Sequence, residues 1–349
     1  MTFADAVAQL TALDAAAAAD ATQLQDRLAK PRGALGELET VGIQLAAIAR
    51  TCPPPVPEPV VVAVFAGDHG VIAEGVTPWP QEVTAQMVAA FCAGGAAVNV
   101  LARHAGATVT VVDVGVASVL APAPGLQLRK VRAGTANLAV EPAMTVDEAR
   151  RALDVGAQTA ADAVAGGARC LVTGDMGIAN TTPSAALIAA FTDRPAIEVT
   201  GRGTGVDDDT WRRKVSVVER ALVRTALPAD PLDVLASLGG LEIAAVAGFV
   251  VGGAAARVPV VVDGVIALAG LLVAAALAPG CLDYCIAGHR STEPGATAVL
   301  EHLNLQPLLD LDLRLGEGSG ACLALPVLQA SAKILREMAT FDGAGVTEK

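Results

Sequence analysis

Residues 169–187 read RCLVTGDMGIANTTPSAAL. From Cys170 to Thr173 the run is apolar without alternation, the pattern of a strand covered on both faces. Gly174 and Gly177 interrupt it, Asp175 stands at its end, and a helical spacing takes over at Thr182. Asn180 or Thr181 is placed to cap that helix, and Pro183 suits its first turn. The free backbone N–H groups of such a helix start attract anions. A tight, well-capped strand–helix turn accounts for the same residues equally well.

The design recurs along the chain. PVVVAVFAGDHG (Pro59–Gly70), TVTVVDVGV (Thr108–Val116), AIEVTGRGTG (Ala196–Gly205), VPVVVDG (Val258–Gly264) and LDYCIAGH (Leu282–His289) read as further strands. Between the strands lie helical patterns over Gln81–Ala105, Thr145–Ala165, Thr182–Phe191, Asp209–Ala226, Leu241–Ala256 and Val265–Ala278. This alternation predicts an α/β fold, a Rossmann-like doubly wound parallel sheet. Residues 1–50 read as helices without a strand, TCPPPVPEP (Thr51–Pro59) as a stiff linker, and Ala321–Phe341 as a last helix. The predicted division is a large α/β domain over 59–289 and a smaller helical domain formed by both chain ends, 1–58 and 290–349. Asp68, His69, Asp175, Arg202, Asp263, His289 and Arg290 all fall at strand ends. Open α/β sheets bind ligands in the crevice there.

The chain has 349 residues and a net charge of −12, which argues against nucleic acid or an anionic membrane as partner. It is 53% hydrophobic but only 3% aromatic, so the core must be aliphatic. The N-terminus, MTFADAVAQL, lacks the basic segment and apolar run of a signal peptide. The longest uncharged stretch, Gly264–Leu282, follows a strand, contains Pro279 and has no basic flanks. It reads as a buried helix rather than a membrane span. The six cysteines form no CxxC pair and mostly lie in apolar surroundings, as reduced thiols of a cytoplasmic protein do. No ligand cluster with metal spacing is evident, and no metal or cofactor is expected.

Three other stretches carry polar chemistry. In VTGRGTGVDDDTWRRK (Val199–Lys214), Gly201, Gly203 and Gly205 let the backbone approach a ligand, and the aspartates read as a solvated helix start. The glycines do not form GxGxxG. Lys214, one and a half turns further on, is placed to add charge. In FAGDHGVIAEGVTPWPQEVTAQMV (Phe65–Val88), Asp68 and His69 read as a hydrogen-bonded loop pair. Trp79 and Met87 suit either the wall of a flat apolar ligand site or ordinary core packing. In LDLRLGEGSGA (Leu311–Ala321), Glu317 stands between two glycines and by itself reads as a solvated turn residue.

Together PRGALG, FAGDHGV, PQEVTAQMV, GDMGIANTT, GRGTGVDD, HRSTEPG and LGEGSGA, in this order over most of the chain, resemble the nicotinate-nucleotide–dimethylbenzimidazole phosphoribosyltransferase family. The resemblance implies a Rossmann-like sheet with a small domain from both chain ends, assembled as a homodimer. The implied reaction is attack of a dimethylbenzimidazole nitrogen on the ribose C1′ of nicotinate mononucleotide. It gives α-ribazole 5′-phosphate and nicotinate, with inversion at C1′.

By the same resemblance, Glu317 is the general base, expected to be partly buried beside the crevice that contains Asp175 and Gly203, and Asp175 holds the second carboxylate position, where many relatives carry Glu. Ala179 replaces a more usual Gly. Gly177, Asn180, Thr181, Gly203, Thr204, Gly205 and Lys214 match the nucleotide and phosphate side. Thr77, Trp79, Gln86, Met87 and Leu315 match the surroundings of the benzimidazole. The chemistry suits these residues. Nicotinate is already a pyridinium and leaves without an acid, whereas the azole needs its proton removed, and a carboxylate in a partly dry pocket is a stronger base. Positioning of two substrates supplies much of the rest. Two other readings are open: a related transferase that activates adenine, benzimidazole or a phenolic, and a non-catalytic nucleotide-binding sensor.

Overall fold

The computed structural model describes residues 1–226 and 229–347. Six strands, β1 (Val60–Gly67), β2 (Ala107–Gly115), β3 (Leu126–Leu128), β4 (Cys170–Met176), β5 (Val260–Val262) and β6 (Cys285–Ala287), form one sheet in the order β3-β2-β1-β4-β5-β6. Every pairing between them is parallel. This is the doubly wound arrangement that the sequence predicts. The order reverses between β1 and β4, so the connections leaving these two neighbours run to opposite sides and open a crevice at their carboxyl ends.

The unbroken apolar runs have a direct cause. In β1, Val60, Val62, Val64 and Ala66 enter one core while Ala63 and Phe65 enter the other. Helices Val146–Ala165, Leu241–Ala255 and Val265–Leu277 build the core on the Phe65 side. Helices Glu82–Cys92, Ala97–His104 and Ser319–Glu337 build the core on the opposite face. The uncharged stretch from Gly264 contains the 13-residue helix Val265–Leu277, buried through Ala274.

Several local expectations are corrected. Ala196–Gly205 is not a strand: Ala196–Val199 is one helical turn, and residues 200–207 form a loop with no strand partner. A run as short as AIEV does not fix its own conformation, and the sheet is complete without it. The pattern over 81–105 is two helices broken at residues 93–96, where Gly94 takes φ +76°. The three-residue edge strand β3 carried no readable pattern. Helix Pro231–Leu238 was also unforeseen.

The two chain ends meet. Ala21, Ala46 and Leu335 form a small core, and Ala29 N–H donates to the Ala339 carbonyl at 2.9 Å. Helix Phe3–Gln9 lies elsewhere, with Ala6 buried in the core on the Phe65 side.

Candidate active site

A cavity of about 370 Å³ opens at the crevice. Asp175, Gly177, Asn180, Thr181, Gly203, Thr204, Lys214, Thr77, Trp79, Met87, Leu315 and Glu317 all line it, drawn together from four separate stretches, 77–87, 175–181, 203–214 and 315–317. Two residues of the expected set do not. Gln86 is exposed on helix Glu82–Cys92, whose Val83 and Met87 face the cavity. One residue along a helix turns the side chain by about 100°, so neighbours cannot share a face. Gly205 lies on the outer side of its loop, beside the Arg314 guanidinium.

Glu317 is only 6% exposed and lines the same cavity as Asp175 and Gly203, buried as expected of it in that crevice and unlike the solvated turn residue that its stretch suggests by itself. Gly316, Glu317 and Gly318 have φ of +83°, +67° and +93°, a left-handed run in which the central residue carries a side chain. Such a conformation is unfavourable for an L-residue and persists only when its surroundings hold it. They do. A Cβ on Gly174 of β4 would stand 2.5 Å from the Glu317 carbonyl oxygen, so that glycine lets the loop settle on the sheet. Glu317 Oε2 accepts the Val98 N–H at 3.3 Å, at the start of helix Ala97–His104. Burial raises the Glu317 pKa, the Val98 bond opposes the rise, and the Asp263 charge adds to it.

Asp175 lies against the same loop, its carboxylate oxygens 3.3 Å from where a Gly316 Cβ would be. Asn180 does not cap its helix; its Nδ2 donates to Asp175 Oδ2 at 3.0 Å instead. Asp175 Oδ1 is buried without a protein partner. Burial first, then the charges of Asp263, Glu242 and Glu317, push this carboxyl well above the usual range. Ala179 has φ +73°, a position better suited to glycine.

The opposite wall is cationic. Lys214, 2% exposed, donates from Nζ to Thr181 Oγ1 at 2.6 Å and to the Gly201 carbonyl at 3.2 Å. Burial pushes its pKa down to about 8, against the pull of Glu293. The Gly203 N–H, on the loop whose glycines let the backbone approach a ligand, donates to Glu293 Oε1 at 2.8 Å. Arg314 Nη1 donates to the Gly203 carbonyl at 3.1 Å, and Trp79 Nε1 donates to Thr204 Oγ1 at 3.1 Å across the mouth. Asp207 caps helix Asp208–Thr225 through the Thr210 N–H, as the solvated helix start predicts.

Sequence reasoning assigned no role to Glu293, Arg314, Asp263 or His289. Asp263 and His289 carried a signal, their place at strand ends, and Glu293 lies within HRSTEPG. Asp68 and His69 do not pair with each other: His69 Nε2 lies 2.7 Å from Glu242 Oε1, and Asp68 Oδ2 accepts the Ala117 N–H. Burial pulls the His69 pKa down, but the Glu242 carboxylate outweighs it and the net shift is upward. Among the described residues no three His, Cys, Asp or Glu side chains converge as a metal site.

The cavity is thus lined by a buried carboxylate, by the apolar Met87 and Leu315, and by an ammonium bonded to one hydroxyl and one backbone carbonyl.

Comparisons with known proteins agree in one direction. A family model described as Phosphoribosyltransferase matches residues 10–346. The nicotinate-nucleotide–dimethylbenzimidazole phosphoribosyltransferase of Salinispora tropica is 57% identical over 97% of each chain. The one of Chloroflexus aurantiacus is 55% identical over 98% of this chain and 97% of its own. The crystal structure of the enzyme of that name from Thermus thermophilus superposes with a TM-score of 0.92 at 50% identity, covering 97% of this chain and all of the other.

Proposed function

We propose, from the premise that this chain belongs to the nicotinate-nucleotide–dimethylbenzimidazole phosphoribosyltransferase family, that it transfers the phosphoribosyl group of nicotinate mononucleotide to 5,6-dimethylbenzimidazole. A benzimidazole nitrogen attacks C1′ as the C1′–nitrogen bond to nicotinate breaks. The bonding pair stays on the pyridine nitrogen and neutralises its charge. The azole N–H proton goes to Glu317, and attack opposite the leaving group inverts C1′. The products are α-ribazole 5′-phosphate and nicotinate.

One observation carries this reading. The Glu317 carboxylate is buried, raised in basicity and lines a cavity whose apolar side holds Met87 and Leu315 and whose other wall holds Lys214 and Thr181. Thr77 and Trp79 flank the acceptor, while Gly177, Asn180, Thr181, Gly203, Thr204 and Lys214 flank the nucleotide. Asp175, whose carboxyl is held well above the usual range by burial and by the Asp263 and Glu242 charges, holds the second carboxylate position and offers its unpartnered Oδ1 to the substrates. The working form is a cytoplasmic homodimer. Trp79 and Leu315, each about half exposed where they line the cavity, supply apolar surface for a partner.

The test is turnover by the purified protein of nicotinate mononucleotide with dimethylbenzimidazole, with mixed bases in competition to establish the acceptor. Glu317→Gln keeps the shape and should lower kcat by about 10²- to 10⁴-fold with the fold intact. Turnover near that of the parent would refute the base assignment. Absence of α-ribazole phosphate from the parent would refute the reaction.

A further inference from the structure

Asp263 follows β5 and is fully buried. Its Oδ2 accepts the Gly318 N–H at 3.1 Å and its Oδ1 the Ala321 N–H at 2.9 Å. These amides belong to the start of helix Ser319–Glu337, where unpaired N–H groups and the helix dipole favour an anion. The Asp263 N–H donates to Thr173 Oγ1 of β4, so the residue ties the start of that helix to the sheet. Gly318 directly follows Glu317. The left-handed run 316–318 therefore has a fixed point on its helix side, and Ser319 closes the other side by donating from N and Oγ to the Gly316 carbonyl.

We propose that Asp263 is a positioning residue that holds the Glu317 carboxylate in its reactive place through the Gly318 and Ala321 amides. This rests on Glu317 being the base. A stabilising helix cap alone would not require a left-handed glutamate beside the capped amide, nor a neighbouring β4 glycine that makes room for it. Asp263 also acts on Glu317 by charge. The groups facing this pair are Asp175 at the end of β4, His289 after β6, Cys322 on the capped helix and the Val98 N–H of helix Ala97–His104. His289 Nε2 stands 3.3 Å from Asp263 Oδ1, an ion-pair distance without hydrogen-bond alignment.

The experiment compares the parent, Asp263→Asn and Asp263→Glu with both substrates, after melting curves and nicotinate mononucleotide affinity show each variant folded. Asp263→Asn should lower kcat by about 100-fold with KM for either substrate within about threefold, the size of a displaced catalytic group. Its acid limb of kcat should move to lower pH, because removing a negative charge makes Glu317 a weaker base. Asp263→Glu retains the charge but displaces it, so kcat should fall while the acid limb stays. Amide exchange at Gly318 and Ala321 should quicken in Asp263→Asn, a readout independent of activity. A folded Asp263→Asn with kcat within twofold of the parent and an unmoved acid limb would overturn the proposal and leave the reaction standing. If the parent itself turns nothing over, the functional reading fails, and unchanged amide exchange would then refute the anchoring separately.

Discussion

Lys214 shows how one residue's surroundings set its chemistry. Its ammonium is enclosed by helix Asp208–Thr225, the Gly201 carbonyl and Thr181, and burial brings its pKa to about 8 from an ordinary 10.5. Below about pH 8 it is charged and, on the proposed reaction, attracts the substrate phosphate; above, it is neutral. The KM for nicotinate mononucleotide should therefore rise as pH passes upward through about 8. Lys214→Met should remove that limb and weaken binding at pH 7 by about 10-fold or more, the size of a lost charge-assisted hydrogen bond. A KM flat from pH 7 to 9.5 in the parent would refute this. In the empty protein the same shift has the opposite sign. The unfolded chain keeps the lysine proton to a higher pH, so folding gains stability between about 8 and 10.5. The sequence named Lys214 but could not show that its charge is costly. The direction of Gln86 was likewise out of reach of a motif, because a motif gives residue identity and not rotation about a helix axis.

At the scale of elements, the pair Val146–Ala165 and Leu241–Ala255 sets the depth of the core. A Cβ on Gly156 would lie 1.8 Å from the Ala245 carbonyl oxygen, and one on Gly248 would lie 2.0 Å from that of Leu153. The two backbones touch because neither glycine carries a side chain. Gly156→Ala should cost about 2–4 kcal/mol or prevent folding. Gly95→Ala, with nothing within 4 Å, is the control and should change stability by less than about 0.5 kcal/mol. Equal melting curves for the two variants would contradict the close packing. These helices were legible because both are long, Val146–Ala165 with one apolar face and Leu241–Ala255 apolar nearly all round, and the latter is buried through Ala254 as its pattern predicts. Ala196–Val199 and the break at 93–96 were not, since four-residue segments take their conformation from what packs around them.

Over the whole molecule, Arg257 ties the chain start to the sheet. It donates to the Ala12, Ala47 and Ile48 carbonyls, to Thr11 Oγ1 and to Tyr284 Oη, and lies 5.5 Å from the Tyr284 ring centre. Arg257→Ala leaves several of these oxygens without a donor and should lower stability by about 2–4 kcal/mol, read by denaturant unfolding. A loss below about 0.5 kcal/mol would show that solvent replaces the guanidinium. The apolar runs by themselves determined a parallel sheet covered on both faces, and the polar residues at strand ends placed the crevice. Both are properties of short segments, encoded in periodicity and in glycine. Only the tertiary structure decided how Glu317 is held, that Asp263 grips the start of the helix that follows it, and that Glu293 occupies the Gly203 amide. Those are distances between residues far apart in the chain, and the basicity of each group follows from such distances and from the water the fold excludes, neither of which a local pattern contains.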